Sequence, residues 1–345
     1  MRVIKNIEST SIGNTNFKND DEIYIGENYA AVIDGVSSKS AIIVNGEKIR
    51  IVDIIIDAIK RIDSKNAPTY AKELNLNEFL QIINMYIKKF YDENKISLEK
   101  HKLEATGAIY SKFFNQIWMV GDCRAIYDGK TIEHELEADE LYAKIRYRVI
   151  QGLLKEGYTA DDIFKHDISR VIIDDPARCI EFIKDGEETQ KILKFILDNM
   201  HQALIDTGFT EEQIKSENLL QKYYNPQTLQ EYAKNNPNAK KYGYSVFNGI
   251  YTPVENCIIE NLPDDVKTIR LSTDGFPMKV LKRAKDLGSA IRMNRVLSQN
   301  DPISIGKNYG IHNSYYQDSQ NHLAFDDESA IEIRIEEIDI GEIER

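Results

Sequence analysis

The sequence predicts an α+β protein: an antiparallel β-sandwich with helices packed against it and a mainly helical insertion. Three observations lead there. Apolar residues alternate at period two after Thr106, helical spacing governs two stretches before it, and period two returns near the end of the chain in SAIEIRI. At 345 residues, 42% hydrophobic and 9% aromatic, the chain has room for one large domain or two ordinary ones and enough apolar surface for a real core. General disorder is excluded on that composition.

The elements follow in order. EIYI and YAAVID flank the turn-like Gly26-Glu27-Asn28 and predict a β-hairpin ending at Asp34-Gly35. Ile51, Ile55, Ala58, Ile59 and Ile62 recur at helical spacing, as do Phe79, Ile82, Ile83, Tyr86, Ile87 and Phe90. Each helix then has one apolar face that a sheet or another helix must cover. AIYSKFF, IWMV, GDCRAIY and TIEHE, separated by Asn115-Gln116 and Asp128-Gly129, predict an antiparallel meander, with Trp118 and Phe113-Phe114 as core. Residues 139–242 are highly charged and helix-patterned, with Ile192, Phe195, Ile196, Asn199 and Met200 on one stripe and breaks at Pro176, Pro226 and Pro237. They read as an inserted helical subdomain. IRLST then ends at Asp274-Gly275, a helix covers Met278 to Leu297, and Ile331, Ile333 and Ile335 alternate with Glu332 and Arg334 in a last strand.

Charge and cysteine usage narrow the function. Lys plus Arg total 44 against 56 Asp plus Glu, a net charge of −12, the wrong sign for gripping nucleic acid or anionic lipid across a broad face. No nucleic-acid or membrane partner is expected, and an acidic surface suits a metal-requiring protein. Cys123, Cys179 and Cys257 are far apart and odd in number, against a disulfide framework and in favour of a reducing compartment. MRVIKNIESTSIGN has no apolar signal core, and no stretch approaches the roughly 18 apolar residues of a membrane span. A soluble, cytoplasmic protein is expected.

Acidic residues at strand ends carry the chemistry. Of the four Asp-Gly pairs, Asp128-Gly129 reads as a hairpin turn and Asp185-Gly186 as a helix boundary. Asp34-Gly35 and Asp274-Gly275 instead follow buried-looking strands, which hold a carboxylate rigidly with a carbonyl beside it. Asp20-Asp21 precede the first hairpin strand and Asp326-Asp327 the last strand, so several carboxylates could converge on one edge of the sandwich. Carboxylates that close repel one another unless cations intervene. All-oxygen ligation without nearby His or Cys favours Mg²⁺ or Mn²⁺ over zinc.

In order along the chain, NDDEIYI, YAAVIDG, ATGAIYSKFFNQIWMVGDCRAIYDG, YGYSVFNG, IRLSTDGF and FDDESAIEIRI resemble the metal-dependent PP2C-type (PPM) serine/threonine protein phosphatases. The resemblance covers most of the chain outside the insertion. It implies a single catalytic domain over 1–345, with a four-layer α-β-β-α sandwich and the helical insertion at about 139–242. It places the bridging aspartate and its carbonyl ligand on Asp34 and Gly35, completing aspartates on Asp274 and Asp326, and a water-orienting acidic pair on Asp20 and Asp21. Asp122 matches an aspartate associated with a weaker third metal, and Arg124 a mainly structural residue.

The implied activity is hydrolysis of phosphoserine or phosphothreonine in a phosphoprotein substrate, by a hydroxide bridging two Mg²⁺ or Mn²⁺ ions. The chain departs from the family pattern at three places. Asn16 stands where an arginine usually holds the substrate phosphate, leaving Lys18, Ser38 and Lys39 as candidate phosphate contacts. Val36-Ser37-Ser38-Lys39 replaces a glycine-rich stretch that often includes a histidine, and Phe276-Pro277-Met278 follows the second Asp-Gly where another acid is usual. His312 and His322 read as residues of a polar loop. The alternatives are a pseudophosphatase that binds a partner through the insertion, or a phosphatase for a small phosphorylated metabolite.

Overall fold

The computed structural model describes residues 2–12, 19–35, 42–67, 73–98, 101–134, 243–300 and 327–337, with shorter pieces between 152 and 236 and at 316–317 and 323–324. The chain opens with β1 (Arg2–Ile12), then the hairpin β2 (Glu22–Ile25) and β3 (Tyr29–Gly35), a short hairpin β4 (Ile43–Val44) and β5 (Glu47–Lys48), and the helices α1 (Ile51–Ile62) and α2 (Leu76–Glu93). Strands β6 (Ala105–Ser111), β7 (Gln116–Val120), β8 (Arg124–Tyr127) and β9 (Lys130–Glu133) follow. Beyond the short helix α3 (Glu211–Ser216) come β10 (Ile258–Asn261), β11 (Thr268–Ser272), α4 (Met278–Arg283), α5 (Leu287–Asn300), the ribbon β12 (Tyr316–Gln317) and β13 (Leu323–Ala324), and β14 (Glu328–Glu337).

Two five-stranded antiparallel sheets result, ordered β1-β14-β11-β8-β9 and β10-β7-β6-β3-β2. Strand alternation sorts the side chains into layers. On β3, Ala30 and Val32 face the other sheet and pack with Ala108, Met119, Ala125, Leu271, Ile331 and Ile333. Tyr29, Ala31 and Ile33 face outward, where α1 and α2 cover them with Ile55, Ile59, Phe79 and Ile83. The outer face of the other sheet, at Ile126 and Ala330, is covered by Val280, Leu281, Leu287 and Ala290 of α4 and α5. The order is therefore α-β-β-α. Being buried on both faces makes β3 read as an almost continuous apolar run.

The helices form where the apolar spacing predicts them. α2 starts in a capping box, with the Asn75 side chain accepting from the Glu78 amide and the Glu78 carboxylate accepting from the Asn75 amide. Trp118 is fully buried against Tyr29 and Phe79, with ring centroids 6.1 and 5.5 Å away.

The structure corrects three expectations and adds one strand. The predicted meander is not one sheet, because β7 and β8 lie in opposite sheets. Gly121, at φ +84°, turns the chain between them, and a Cβ there would run into Thr106. The helix expected over Met278 to Leu297 is two helices: the Arg270 guanidinium takes the carbonyls of Leu281, Ala284 and Lys285 at 2.7–2.8 Å, ending α4, and Asp286 with Ser289 starts α5. Phe113 is exposed rather than core. Strand β1 was not legible because a bulge between Ile4 and Asn6 breaks its period, so Ile4 and Ile7, three residues apart, both pack on the inter-sheet core. Most of 139–242 lies outside the described residues, as do Asp185-Gly186, Cys179, His312 and His322.

Candidate metal centre

One end of the sandwich gathers the acidic residues. β3, β7 and β11 end there and β2, β6, β8 and β14 begin there, which follows from the antiparallel pairings β2–β3, β3–β6, β6–β7 and β11–β14. Asp34, two residues beyond Val32, lies on the inter-sheet face by alternation, opposite Thr106. The Thr106 hydroxyl donates to Asp122 Oδ1 at 2.9 Å and stands 3.6 Å from Cys123 Sγ. Cys123 is fully buried. Burial, followed by the negative charges of Asp34, Asp122 and Asp274, pushes its thiol well above the ordinary value, against a hydrogen bond with Thr106. Acids from the end of β3 and from the loops after β7 and β11 thus bear on one buried thiol.

Contacts across the sheets fix the remaining acids. Thr273 donates its hydroxyl proton to Asp21 Oδ2 at 2.8 Å, joining the entry to β2 to the exit of β11. The Asp20 amide donates to Asp327 Oδ2 at 2.6 Å, joining it to the entry of β14. A Cβ at Gly35 would collide with the Asp20 carbonyl, and one at Gly275 with the Asp327 carbonyl, so both Asp-Gly glycines are needed for close backbone approach. Arg124 donates from Nη1 to the carbonyls of Asp274 and Phe276, so its role here is to hold the Asp-Gly loop. Lys48 pairs with Asp20 at 3.3 Å.

Asp20, Asp21, Asp34, Gly35, Asp122 and Asp274 are therefore at one end of the fold. Asp326, Lys18, Ser38 and Lys39 lie outside the described residues, and the adjacent Asp327 is in the cluster. Among the described residues, no three His, Cys, Asp or Glu side chains already close around a common point as a metal cage would. The donor set still fits hard cations: the acids that converge are carboxylates, and the Asp-Gly turns bring backbone carbonyls beside them.

Several residues of this end stand outside any sequence motif for metal ligation. Arg50, Thr106, Thr273, Asn294 and His134 are all there. Asn294, on α5 and fully buried, donates to the Gly275 carbonyl and to Glu328 Oε1, both at 3.0 Å. His134, just after β9, is held below its ordinary pKa by burial, against a hydrogen bond with Gly121 and the charge of Asp122. The readable hint was position: Thr106 opens a strand and Thr273 directly precedes an Asp-Gly pair.

In structure the chain is similar to bacterial serine/threonine phosphatases. A bacterial serine phosphatase is 13% identical over 98% of this chain and 100% of that one, with a TM-score of 0.44. Stp1 from Staphylococcus aureus is 11% identical over 97% and 96%, with a TM-score of 0.43. The catalytic domain of PstP, solved with 2 manganese ions, is 12% identical over 98% and 100%, with a TM-score of 0.42. No protein-family model matches the sequence, and no curated protein does. Among the described residues, no helix is long and apolar enough to cross a membrane.

Proposed function

We propose that the protein is a Mg²⁺- or Mn²⁺-dependent phosphatase of the cytoplasm acting on phosphoserine or phosphothreonine in proteins. The observation that supports this reading is the gathering of acids at one end of the sandwich: Asp34 stands opposite Thr106, Thr106 bonds Asp122, Arg124 holds the carbonyl of Asp274, and Asp20, Asp21 and Asp327 are bonded into the same end. Asp34, the Gly35 carbonyl, Asp274 and Asp326 would hold two ions, and Asp122 a weaker third. Divalent ions there would supply the charge that acidifies water and offsets the phosphoryl oxygens. The chain's own contribution is to fix the carboxylates. Thr106 orients Asp122, Arg124 holds the backbone of Asp274, and Asp20 accepts a charge-assisted contact from Lys48. Lys18, Ser38 and Lys39 are the proposed contacts for substrate phosphate.

Hydrolysis of an aryl phosphate and of a phosphopeptide, measured with Mn²⁺ and then with chelator, tests this. Asp34→Asn and Asp274→Asn should each abolish turnover, and activity surviving both substitutions overturns the reading. The pseudophosphatase alternative is favoured by Asn16 at the usual arginine position. It predicts tight Mn²⁺ binding with no turnover on phosphopeptides or on a panel of phosphorylated metabolites.

A further inference from the structure

Arg50 occupies the N-cap position of α1, where Ser, Thr, Asp or Asn would satisfy the free amides, and it makes no side-chain cap. A cation there is also opposed by the helix dipole. Its side chain is nevertheless only 6% exposed, and it is turned away from the helix end toward the acidic loop before β2.

A guanidinium has five N–H groups, and each of those of Arg50 meets an acceptor. Nη1 donates to the carbonyl of Asn19 and, at 3.3 Å, to that of Asp21. Nη2 donates to Glu22 Oε2 at 2.9 Å and to Asp53 Oδ1, and Nε to Asp53 Oδ2 at 3.0 Å. The carbonyls on either side of Asp20 are thus held from α1, while the Asp20 amide is held by Asp327 and its carbonyl lies against Gly35. Asn19 tightens the same turn by accepting from the Asp21 amide at 2.8 Å.

We propose that Arg50 is a positioning residue for the metal centre: by clamping loop 19–21 from both sides of Asp20, it sets the acidic pair against Asp34 and Asp327. This rests on the reading of that end as a divalent-metal centre. Lysine cannot reproduce the clamp, because one ammonium cannot reach two carbonyls and a bidentate carboxylate together.

The test uses the full chain freed of metal by chelator. Mn²⁺ affinity is measured by calorimetry, amide exchange at residues 19–22 by mass spectrometry, and the metal-free thermal midpoint alongside. Arg50→Lys should bind Mn²⁺ about tenfold more weakly, the scale expected for a group that orients ligands. Its loop amides should exchange faster, with the midpoint moved by only a few degrees. A residue that merely anchored α1 would lower the midpoint and leave the affinity alone. Wild-type binding of Mn²⁺ with unchanged affinity in Arg50→Lys overturns the role of Arg50 and leaves the metal reading standing. No Mn²⁺ binding by the wild type overturns the metal reading, and with it this role. If Arg50→Lys does not fold, Asp53→Asn decides by the same criterion, since it removes the bidentate anchor and keeps Arg50.

Discussion

The two helical layers are joined to their sheets by different chemistry. α1 and α2 lie on β3, β6 and β7 through an apolar contact in which Ile55, Ile59, Phe79 and Ile83 meet Tyr29, Ile33, Ile109 and Trp118. α4 and α5 also bury apolar side chains, but polar groups bolt them down. Arg270 of β11 binds three carbonyls at the end of α4 and Glu332 of β14, and Asn294 of α5 holds the Gly275 carbonyl and Glu328. The first contact is non-directional over the helix faces and supplies stability, with directional bonds at the two ends of α1, where Arg50 holds loop 19–21 and Asp63 accepts from Tyr24 and Asn28. The second is directional, and one of its bonds, from Asn294 to the Gly275 carbonyl, ends on the loop that carries Asp274. In the first layer the helix faces keep the sandwich folded and an acidic loop is reached from the N-cap of α1, by Arg50; in the second, Asn294 sets where an acid stands from within the packed helix itself.

The largest effect that tests this contrast is Phe79→Ala. The ring is fully buried between Tyr29 and Trp118, so truncation should cost about 3–5 kcal/mol in denaturant unfolding. Mn²⁺ affinity per folded molecule should stay as in the wild type. A large loss of affinity would mean that the apolar face of this layer, and not Arg50 at its edge alone, positions the site.

Arg270→Met comes next. Glu332 is only 1% exposed and is shared by Arg270 and Arg334, each at 2.7 Å, so removing Arg270 leaves it one cationic partner, itself half-exposed. The loss of stability should be about 3 kcal/mol. Mn²⁺ binding should weaken as well, because α4 loses its attachment to β11. Unchanged affinity at reduced stability would erase the contrast between the layers.

That contrast also explains what the sequence made legible. Period-two and helical spacing revealed β3, β6, β7, α1 and α2, because their packing is apolar and repeats along the chain. The acids at strand ends were visible for the same reason, since a buried run gives away where it stops. Arg50, Arg270, Asn294 and Thr273 were not visible. Each acts through bonds to residues between 11 and 252 positions away, as Arg270 does with Leu281 and Thr273 with Asp21. No spacing rule connects such partners. The break between α4 and α5 was missed on the same account: its cause is a guanidinium from a neighbouring strand, not a proline or glycine in the helix. β8 was assigned to its neighbour's sheet because period two reports which residues alternate but not which sheet they join.

The smallest predicted effect compares two thiols, one in each environment. Cys257 packs beside the α1–α2 layer, where burial pushes its thiol up to about 11, against a hydrogen bond with Ser245. Cys123 is raised by burial and then by the site's carboxylates. For a group raised on folding, the stabilising difference is complete below the unfolded pKa and is lost as pH rises toward the folded value. The unfolded thiol titrates near 9, so stability should fall from pH 9 upward, by up to about 1.4 kcal/mol per pH unit for each thiol. Tyr24, Tyr29 and Tyr91, also raised by burial, add to the fall as pH approaches their unfolded value of 10.0. Denaturant midpoints between pH 9 and 10, compared between the wild type and cysteine variants so that the tyrosine contribution cancels, isolate the cysteines. Cys257→Ala should make the fall shallower with or without Mn²⁺. In a protein retaining only Cys123, the slope should depend on Mn²⁺, because bound cations offset the carboxylate charges acting on that sulfur. Equal slopes for that protein in Mn²⁺ and in chelator would show that burial alone raises Cys123 and that the carboxylates do not act together there.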